Sequence, residues 1–336
     1  MEKAAERGGQ RLEVPPFQSY FVQRELDALR AHFAGTQDAR ERAILAGLHW
    51  MVRYLEEEKH FRSVFSDYVL ALHELTLFDK QRPWVGVVRD ILRRSFVRAW
   101  PAREKIFAKS VAGKWDFISV IHLLYQHDIP IDPYLRFYHS YFPEGEKTRG
   151  KTFARAFQDR DYDRLGDFLI DSSFLDLLLR RRPRTPFRLP PNRLAAYVRE
   201  IERLPLIHTF SSNPDGYHHQ NYFVTHVILS LNHYSESPLP ETPLLRRMLG
   251  YLKREFATVR HRVDDIDLLA EFVYSFKCYG LEQEPRVWEA QQFLLSQQSS
   301  WGAWGKAADW RGDAYDAIHP TLAAITALNY RKQGLR

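Results

Sequence analysis

Three residues with metal-binding side chains recur at nearly equal intervals in the C-terminal half of this sequence. His226, Glu271 and His319 are separated by 45 and 48 residues. Two imidazoles and one carboxylate are a ligand set that suits Fe(II), with copper or zinc as alternatives, and that leaves coordination positions open for substrate or oxygen. We therefore expect one divalent metal, with Fe(II) favoured. A single histidine in a helix is more often a hydrogen-bonded core residue, so the hypothesis depends on all three residues together.

Other polar residues lie close to these three in the sequence. Tyr274 follows Glu271 by three residues, and Tyr315 precedes His319 by four. We expect both tyrosines to act as catalytic groups that orient a substrate. Asp264, Asp265 and Asp267 stand at the start of the helix predicted to carry the carboxylate ligand. Aspartates in that position stabilise a helix N-terminus, which is the role we assign to them.

The intervals between the predicted ligands match a repeat in hydrophobicity. An amphipathic segment is followed by a nearly all-apolar one, and the apolar segments begin roughly 45 to 55 residues apart. A helix that is apolar on all sides is buried between neighbours, while its amphipathic partner lies outside. No segment shows the alternation of polar and apolar residues, with hairpin turns, that predicts a β-sheet. The six apolar segments are Tyr68–Asp79, Phe117–Asp128, Asp167–Leu179, Tyr222–Tyr234, Leu268–Gly280 and Ile318–Tyr330.

This repeat predicts an all-α protein in which about six helical hairpins close into an α/α toroid, with the predicted ligands at one end of its cavity. Closure is favoured over an open solenoid, which would expose its terminal repeats. We expect one domain over residues 17–336, preceded by a flexible N-terminus over residues 1–16. His73 and His122 hold matching places in the first two apolar segments, and we interpret them as core histidines, with a pocket-lining role as the alternative.

Composition limits the classes of protein and partner. The single cysteine, Cys278, excludes an intramolecular disulfide and a CxxC zinc site, and it fits a reducing cytoplasm. The formal net charge is +6, but the densest basic run, residues 180–188, carries no aromatic ladder, so we expect no nucleic-acid partner. No apolar run has transmembrane length. The expected partner is a small-molecule or peptide substrate in the central cavity, and the oligomeric state is left open.

Residues 293–304 resemble the QW motif of triterpene cyclases. That motif consists of an aromatic and an aliphatic residue, three residues, a glutamine, three residues, a glycine, one residue and a tryptophan. Each place is filled, by Phe293, Leu294, Gln298, Gly302 and Trp304. The motif is structural in its family, so the resemblance implies the toroid fold and not an activity. We expect Gln298 to bond backbone groups, Gly302 to supply backbone freedom and Trp304 to cover the turn.

Residues 200–330 are also remotely similar to the β-subunits of protein prenyltransferases, which share the toroid. In that family an aspartate, a cysteine two residues later and a histidine on a later helix bind zinc. Glu271 falls at the aspartate position and His319 at the histidine position, but Val273 replaces the cysteine. Loss of the thiolate indicates harder nitrogen and oxygen ligation, which suits Fe(II).

These observations favour a metal-dependent biosynthetic tailoring enzyme with oxidative chemistry. One alternative is a terpenoid cyclase or a prenyltransferase-like enzyme. Against it, the acid motif of class II cyclases is absent, and Leu268 and Asp265 stand where prenyltransferases place basic residues for diphosphate. A carboxylate at that place repels diphosphate. Another alternative is a non-catalytic toroid that encloses a lipid or a peptide.

Overall fold

The structure, a computed structural model, describes residues 20–56, 58–77, 82–107, 113–141, 145–181, 183–187, 189, 191–305 and 314–329. Every regular element in these residues is a helix, which confirms the all-α class. The N-terminus predicted to be flexible, residues 1–16, lies outside the described residues. Across the described part of the chain, no helix combines the length and the apolar character that crossing a membrane requires.

The helices are numbered in chain order, and a short 3-10 turn, Trp100–Ala102, lies between the fifth and the sixth. They are α1 (Tyr20–Gly35), α2 (Ala39–Tyr54), α3 (Glu58–Ser63), α4 (Phe65–Leu77), α5 (Trp84–Ala99), α6 (Arg103–Phe107), α7 (Gly113–Gln126), α8 (Asp132–Tyr141), α9 (Gly145–Asp159), α10 (Tyr162–Arg181), α11 (Leu194–Ile201), α12 (Pro214–Leu231), α13 (Pro243–Arg262), α14 (Ile266–Cys278), α15 (Pro285–Gln297) and α16 (Ala314–Asn329).

Each of the six apolar segments of the sequence overlaps one helix, namely α4, α7, α10, α12, α14 or α16. These helices contact one another in a cyclic order: α4 with α7, α7 with α10, α10 with α12, α12 with α14, α14 with α16, and α16 with α4. A second helix packs on each of them. These contacts are α5 on α4, α8 on α7, α11 on α10, α13 on α12 and α14, α15 on α14 and α16, and α2 on α16.

Side-chain caps fix where the site-bearing helices begin. Asn213 caps α12, and its side chain accepts a hydrogen bond from the Gly216 backbone. Asp265 caps α14, because its Oδ1 accepts from the backbone nitrogen of Leu268 at 3.1 Å. Each cap satisfies a backbone donor that the first helical turn leaves open. Of the three aspartates predicted to stabilise the N-terminus of this helix, Asp265 is the one whose side chain caps it.

In the turn after α15, Gln298, Gly302 and Trp304 have the hydrogen bonds, backbone conformation and packing that the sequence predicts. The Gln298 amide donates to the carbonyls of Gly302 and of Ala43, both at 2.8 Å. Gly302 has a φ of +97°, and a Cβ there would meet the Ala46 carbonyl oxygen at 2.5 Å, so only glycine fits. Trp304 is fully buried and donates from Nε1 to the Leu294 carbonyl. Since Ala43 and Ala46 lie on α2, the turn joins the C-terminal hairpins to the start of the chain.

Candidate metal centre

A cavity of about 1600 Å³ opens among the six helices that contact in cyclic order. Its described lining includes nine carboxylates, against two arginines and five histidines. Excess negative charge in a confined space attracts cations, because the surrounding protein strengthens electrostatic interactions relative to bulk water. The cavity is therefore suited to a metal ion or to a cationic group.

Three side chains in this cavity each offer a ligand atom within 4.8 Å of the other two: Asp267, Glu271 and His319. The Nδ1 atom of His319 lies 2.5 Å from Oδ2 of Asp267. Asp267 and Glu271 are each 7% exposed, and they lie four residues apart on one face of α14. The Oδ1 atom of Asp267 is buried and has no hydrogen-bond partner among the described residues. A buried acceptor without a donor fits a cation as its partner.

The structure thus brings Glu271 and His319 together, as expected, and adds Asp267. From the sequence alone, Asp267 is expected only to stabilise the N-terminus of its helix. Instead its Oδ2 accepts hydrogen bonds from His319 and, at 3.0 Å, from the Tyr222 hydroxyl. Asp267 could have been recognised from its spacing of four residues from Glu271, because residues i and i+4 of a helix share a face.

His226, the third ligand predicted from the sequence, lies beside this group and is not one of its three members. Its Nε2 atom is 3.6 Å from Oε1 of Glu271, while its buried Nδ1 has no hydrogen-bond partner among the described residues. The ring lies against Gly166 of α10, where a Cβ would come within 2.7 Å of Nδ1. The absence of a side chain at Gly166 therefore makes room for His226. Thr225 donates a short hydrogen bond to Oε2 of Glu271, which leaves Oε1 facing His226.

The charges of these groups are strongly coupled. Burial alone would lower the pKa of His319, but the charge of Asp267 and its hydrogen bond outweigh burial and raise that pKa to about 10. Burial would raise the pKa of Glu271, yet the charge and hydrogen bond of His226 hold it below its ordinary value. Burial raises the pKa of Asp267, and it raises that of Asp167 to about 6. Without a metal, the cavity therefore retains protons that a divalent cation could replace.

The two tyrosines named from the sequence lie in different places. Tyr315 lines the cavity, and its ring stacks on His319 with 4.6 Å between the centroids. Tyr274 is buried and is not among the described residues that line the cavity. Its hydroxyl donates to Oε1 of Glu74 at 2.9 Å and lies 2.7 Å from the Ser235 hydroxyl. Of the two, Tyr315 is therefore the one that is accessible from the cavity.

The donor set can hold a divalent metal. Two carboxylates and one imidazole are the nitrogen and oxygen ligands of Fe(II), Mn(II) and Zn(II) sites, and three protein ligands leave positions open for substrate. Hydrogen bonds from Thr225 and Tyr222 would orient the two carboxylates. Comparison of the chain with protein-family models, with curated proteins and with solved structures found no match.

Proposed function

We propose that this protein is a metal-dependent enzyme whose catalytic metal is bound by Asp267, Glu271 and His319, with His226 next to the metal. The observation that carries the proposal is the convergence of three ligand atoms within 4.8 Å, beside a buried Oδ1 of Asp267 that has no other partner among the described residues. Three protein ligands are typical of a catalytic site, because the remaining coordination positions admit substrate.

The proposed architecture around this metal is an α/α toroid. The cyclic contacts among α4, α7, α10, α12, α14 and α16 support a closed inner ring, and the helices packed outside them support an outer layer. The cavity lies among the inner helices and is lined on one side by Arg260 and Arg262 at the end of α13. A small molecule or a peptide would enter this cavity and meet the metal beside Tyr315.

The proposed chemistry is oxidative, and Fe(II) is the favoured metal. Ligation by carboxylate and imidazole without a thiolate suits Fe(II), which supplies oxygen chemistry when bound. The chain holds the metal through the three ligands and orients its carboxylates through Thr225 and Tyr222. His319 must give up its proton to bind the metal, and the negative charge of the cavity offsets the added positive charge.

Metal content tests the proposal. The protein is purified without an affinity tag, reconstituted with Fe(II), copper or zinc, and analysed by plasma mass spectrometry beside Asp267→Asn, Glu271→Gln and His319→Gln. Each variant should lose one equivalent of metal relative to the parent. Asp163→Asn is the matched control, because Asp163 also lines the cavity but is exposed and pairs with His219. Equal metal content in the parent and the three variants would refute the site.

Oxygen consumption tests the chemistry separately. The Fe(II)-loaded parent should consume oxygen in the presence of a substrate, and Glu271→Gln should not. Metal bound without any oxygen uptake across candidate substrates would refute the oxidative assignment and leave the metal assignment standing. A parent that binds no metal would favour the non-catalytic toroid.

A further inference from the structure

A second group of two histidines and a carboxylate lies outside the residues that line the cavity. His73 on α4, His122 on α7 and Glu236 in the turn after α12 each offer a ligand atom within 4.8 Å of the other two. Nε2 of His122 lies 2.7 Å from Oε1 of Glu236, and Nε2 of His73 lies 3.2 Å from the same oxygen. Both imidazoles therefore converge on one carboxylate oxygen.

This cluster is more deeply buried than the candidate metal centre. The side chains of His73 and Glu236 are each 4% exposed, and that of His122 is fully buried. The second carboxylate oxygen, Oε2, accepts a hydrogen bond from Arg181 at 2.8 Å. Since Arg181 engages Oε2, Oε1 is the oxygen that would bind a metal, in place of its contacts with the two imidazoles.

The turn that carries Glu236 has an unusual backbone. His233, Tyr234 and Ser235 have φ values of 49°, 49° and 70°, so three consecutive residues other than glycine are left-handed. Each such residue costs about 1–2 kcal/mol, and such strain persists only where surrounding interactions fix it. Asn232 holds the turn, because its Oδ1 accepts from the Ser235 backbone at 2.9 Å. The result of this strain is that Glu236 reaches the two histidines.

The surroundings of the His73 ring suit metal ligation. Nδ1 of His73 lies 3.0 Å from Nε2 of His127, so a buried partner holds the ring nitrogen that faces away from Glu236. Metal-bound histidines commonly have such a partner, which fixes the ring and its tautomer. The amide nitrogen Nε2 of Gln126 lies 3.4 Å from Nε2 of His122 and donates to Oε2 of Glu236 at 3.4 Å. Rotation of its amide exchanges nitrogen for oxygen, which would supply a fourth donor.

We propose that His73, His122 and Glu236 bind a structural zinc ion, distinct from the catalytic metal of the cavity, with the Gln126 amide oxygen as the fourth ligand. Four protein ligands are typical of structural zinc, whereas a catalytic site keeps a position open. The ion joins α4 and α7 to the strained turn that follows α12. The four ligands thus come from three places far apart in sequence, because His122 and Gln126 both lie on α7.

The Glu271→Gln variant allows this site to be measured alone, because it removes a ligand of the catalytic metal and leaves the second cluster intact. After removal of metal with EDTA, this variant should bind one equivalent of zinc, and its thermal midpoint should rise when zinc is restored. Adding Glu236→Gln should weaken zinc binding by at least about 100-fold. His233→Gln is the matched control, since His233 lies in the same turn but pairs with Asp176 at 3.0 Å.

Two results would overturn the proposal. One is the absence of zinc binding in folded Glu271→Gln protein, which would make the cluster a carboxylate held by hydrogen bonds alone. The other is unchanged zinc affinity after Glu236→Gln. If that variant does not fold, cobalt replaces zinc in Glu271→Gln protein, where intense visible absorption typical of four-coordinate cobalt is expected and its absence refutes the site. Failure of the catalytic site is recognised separately, because the parent would then bind the same single equivalent as Glu271→Gln.

Discussion

The Nδ1 atom of His319 on α16 lies 2.5 Å from Oδ2 of Asp267 on α14. This contact joins two helices whose contributing residues are 52 positions apart in the sequence. It also explains why His319 keeps its proton, because Asp267 raises the pKa of the imidazole to about 10 against the opposing effect of burial. A metal at this place must displace that proton.

Metal affinity should therefore rise with pH. Below the His319 pKa of about 10, each unit of pH should strengthen metal binding by roughly tenfold, because one proton leaves for each ion bound. Titrations at pH 6, 7 and 8 measure this slope, and calorimetry in buffers of different ionisation enthalpy counts the protons. In His319→Gln the slope should fall together with the affinity. A parent affinity that is independent of pH would contradict the assignment of His319 as a ligand.

Gly166→Ala should disturb the proposed metal site from a neighbouring helix. The new methyl group would lie 2.7 Å from Nδ1 of His226, which is too close, so the imidazole must move relative to Glu271. We expect about tenfold weaker metal binding, equivalent to about 1.4 kcal/mol.

Gly86→Ala is the matched control for that change. Gly86 also lies within a helix, but a Cβ there has no heavy atom within 4 Å. This substitution should leave metal affinity unchanged and stabilise the protein by about 0.5–1 kcal/mol, because alanine loses less backbone entropy on folding. Equal metal affinities in the two variants would show that the close approach of His226 to Gly166 has no effect on the site.

Glu74→Gln should remove a pH-dependent instability. Burial raises the pKa of Glu74 to about 8, while an unfolded glutamate titrates near 4.5. The folded state therefore holds a proton that the unfolded state releases, and the free energy of unfolding falls as pH rises from about 4.5 to 8. The glutamine keeps an oxygen for the Tyr274 hydroxyl and carries no proton to lose.

Denaturant unfolding at pH 5, 7 and 8 measures this effect. At pH 5 the parent and Glu74→Gln should be similar in stability. At pH 7 the variant should be more stable by up to about 3 kcal/mol, from 1.36 kcal/mol per pKa unit. If the difference in stability does not change with pH, Glu74 is not protonated in the folded protein.

Trp304→Ala should cost about 3–5 kcal/mol of stability, since the side chain is fully buried. Trp304→Phe should cost less, but it removes the Nε1 donor to the Leu294 carbonyl, a loss of about 1 kcal/mol or more. Trp301→Ala is the control, because that tryptophan is 70% exposed and should change stability by no more than about 0.5 kcal/mol. An unchanged melting temperature in Trp304→Ala would argue against a structural role for the turn.

The sequence predicts the helices well, because hydrophobic periodicity is local and recurs six times. It also predicts that Glu271 and His319 meet, since they lie about one repeat apart on apolar helices. It does not reveal Asp267 as a third member, because an aspartate near a helix start has an equally good local explanation. The position of Glu236 is even harder to predict from the sequence. Its approach to His73 and His122 depends on three consecutive residues with positive φ. None of them is a glycine, so the sequence does not indicate this backbone conformation.

The contact between Gln298 and Ala43 has a consequence for synthesis on the ribosome. The two residues are 255 positions apart, so at 5–20 residues per second α2 emerges roughly ten seconds to a minute before its partner is made. During that interval, the faces of α2 that pack on α15 and α16 in the finished protein have no partner. A nascent chain with such a face exposed is a client for chaperones, and premature termination before α15 leaves it permanently uncovered. Quality control of this protein is therefore expected to act on α2 until α15 and α16 have been synthesised.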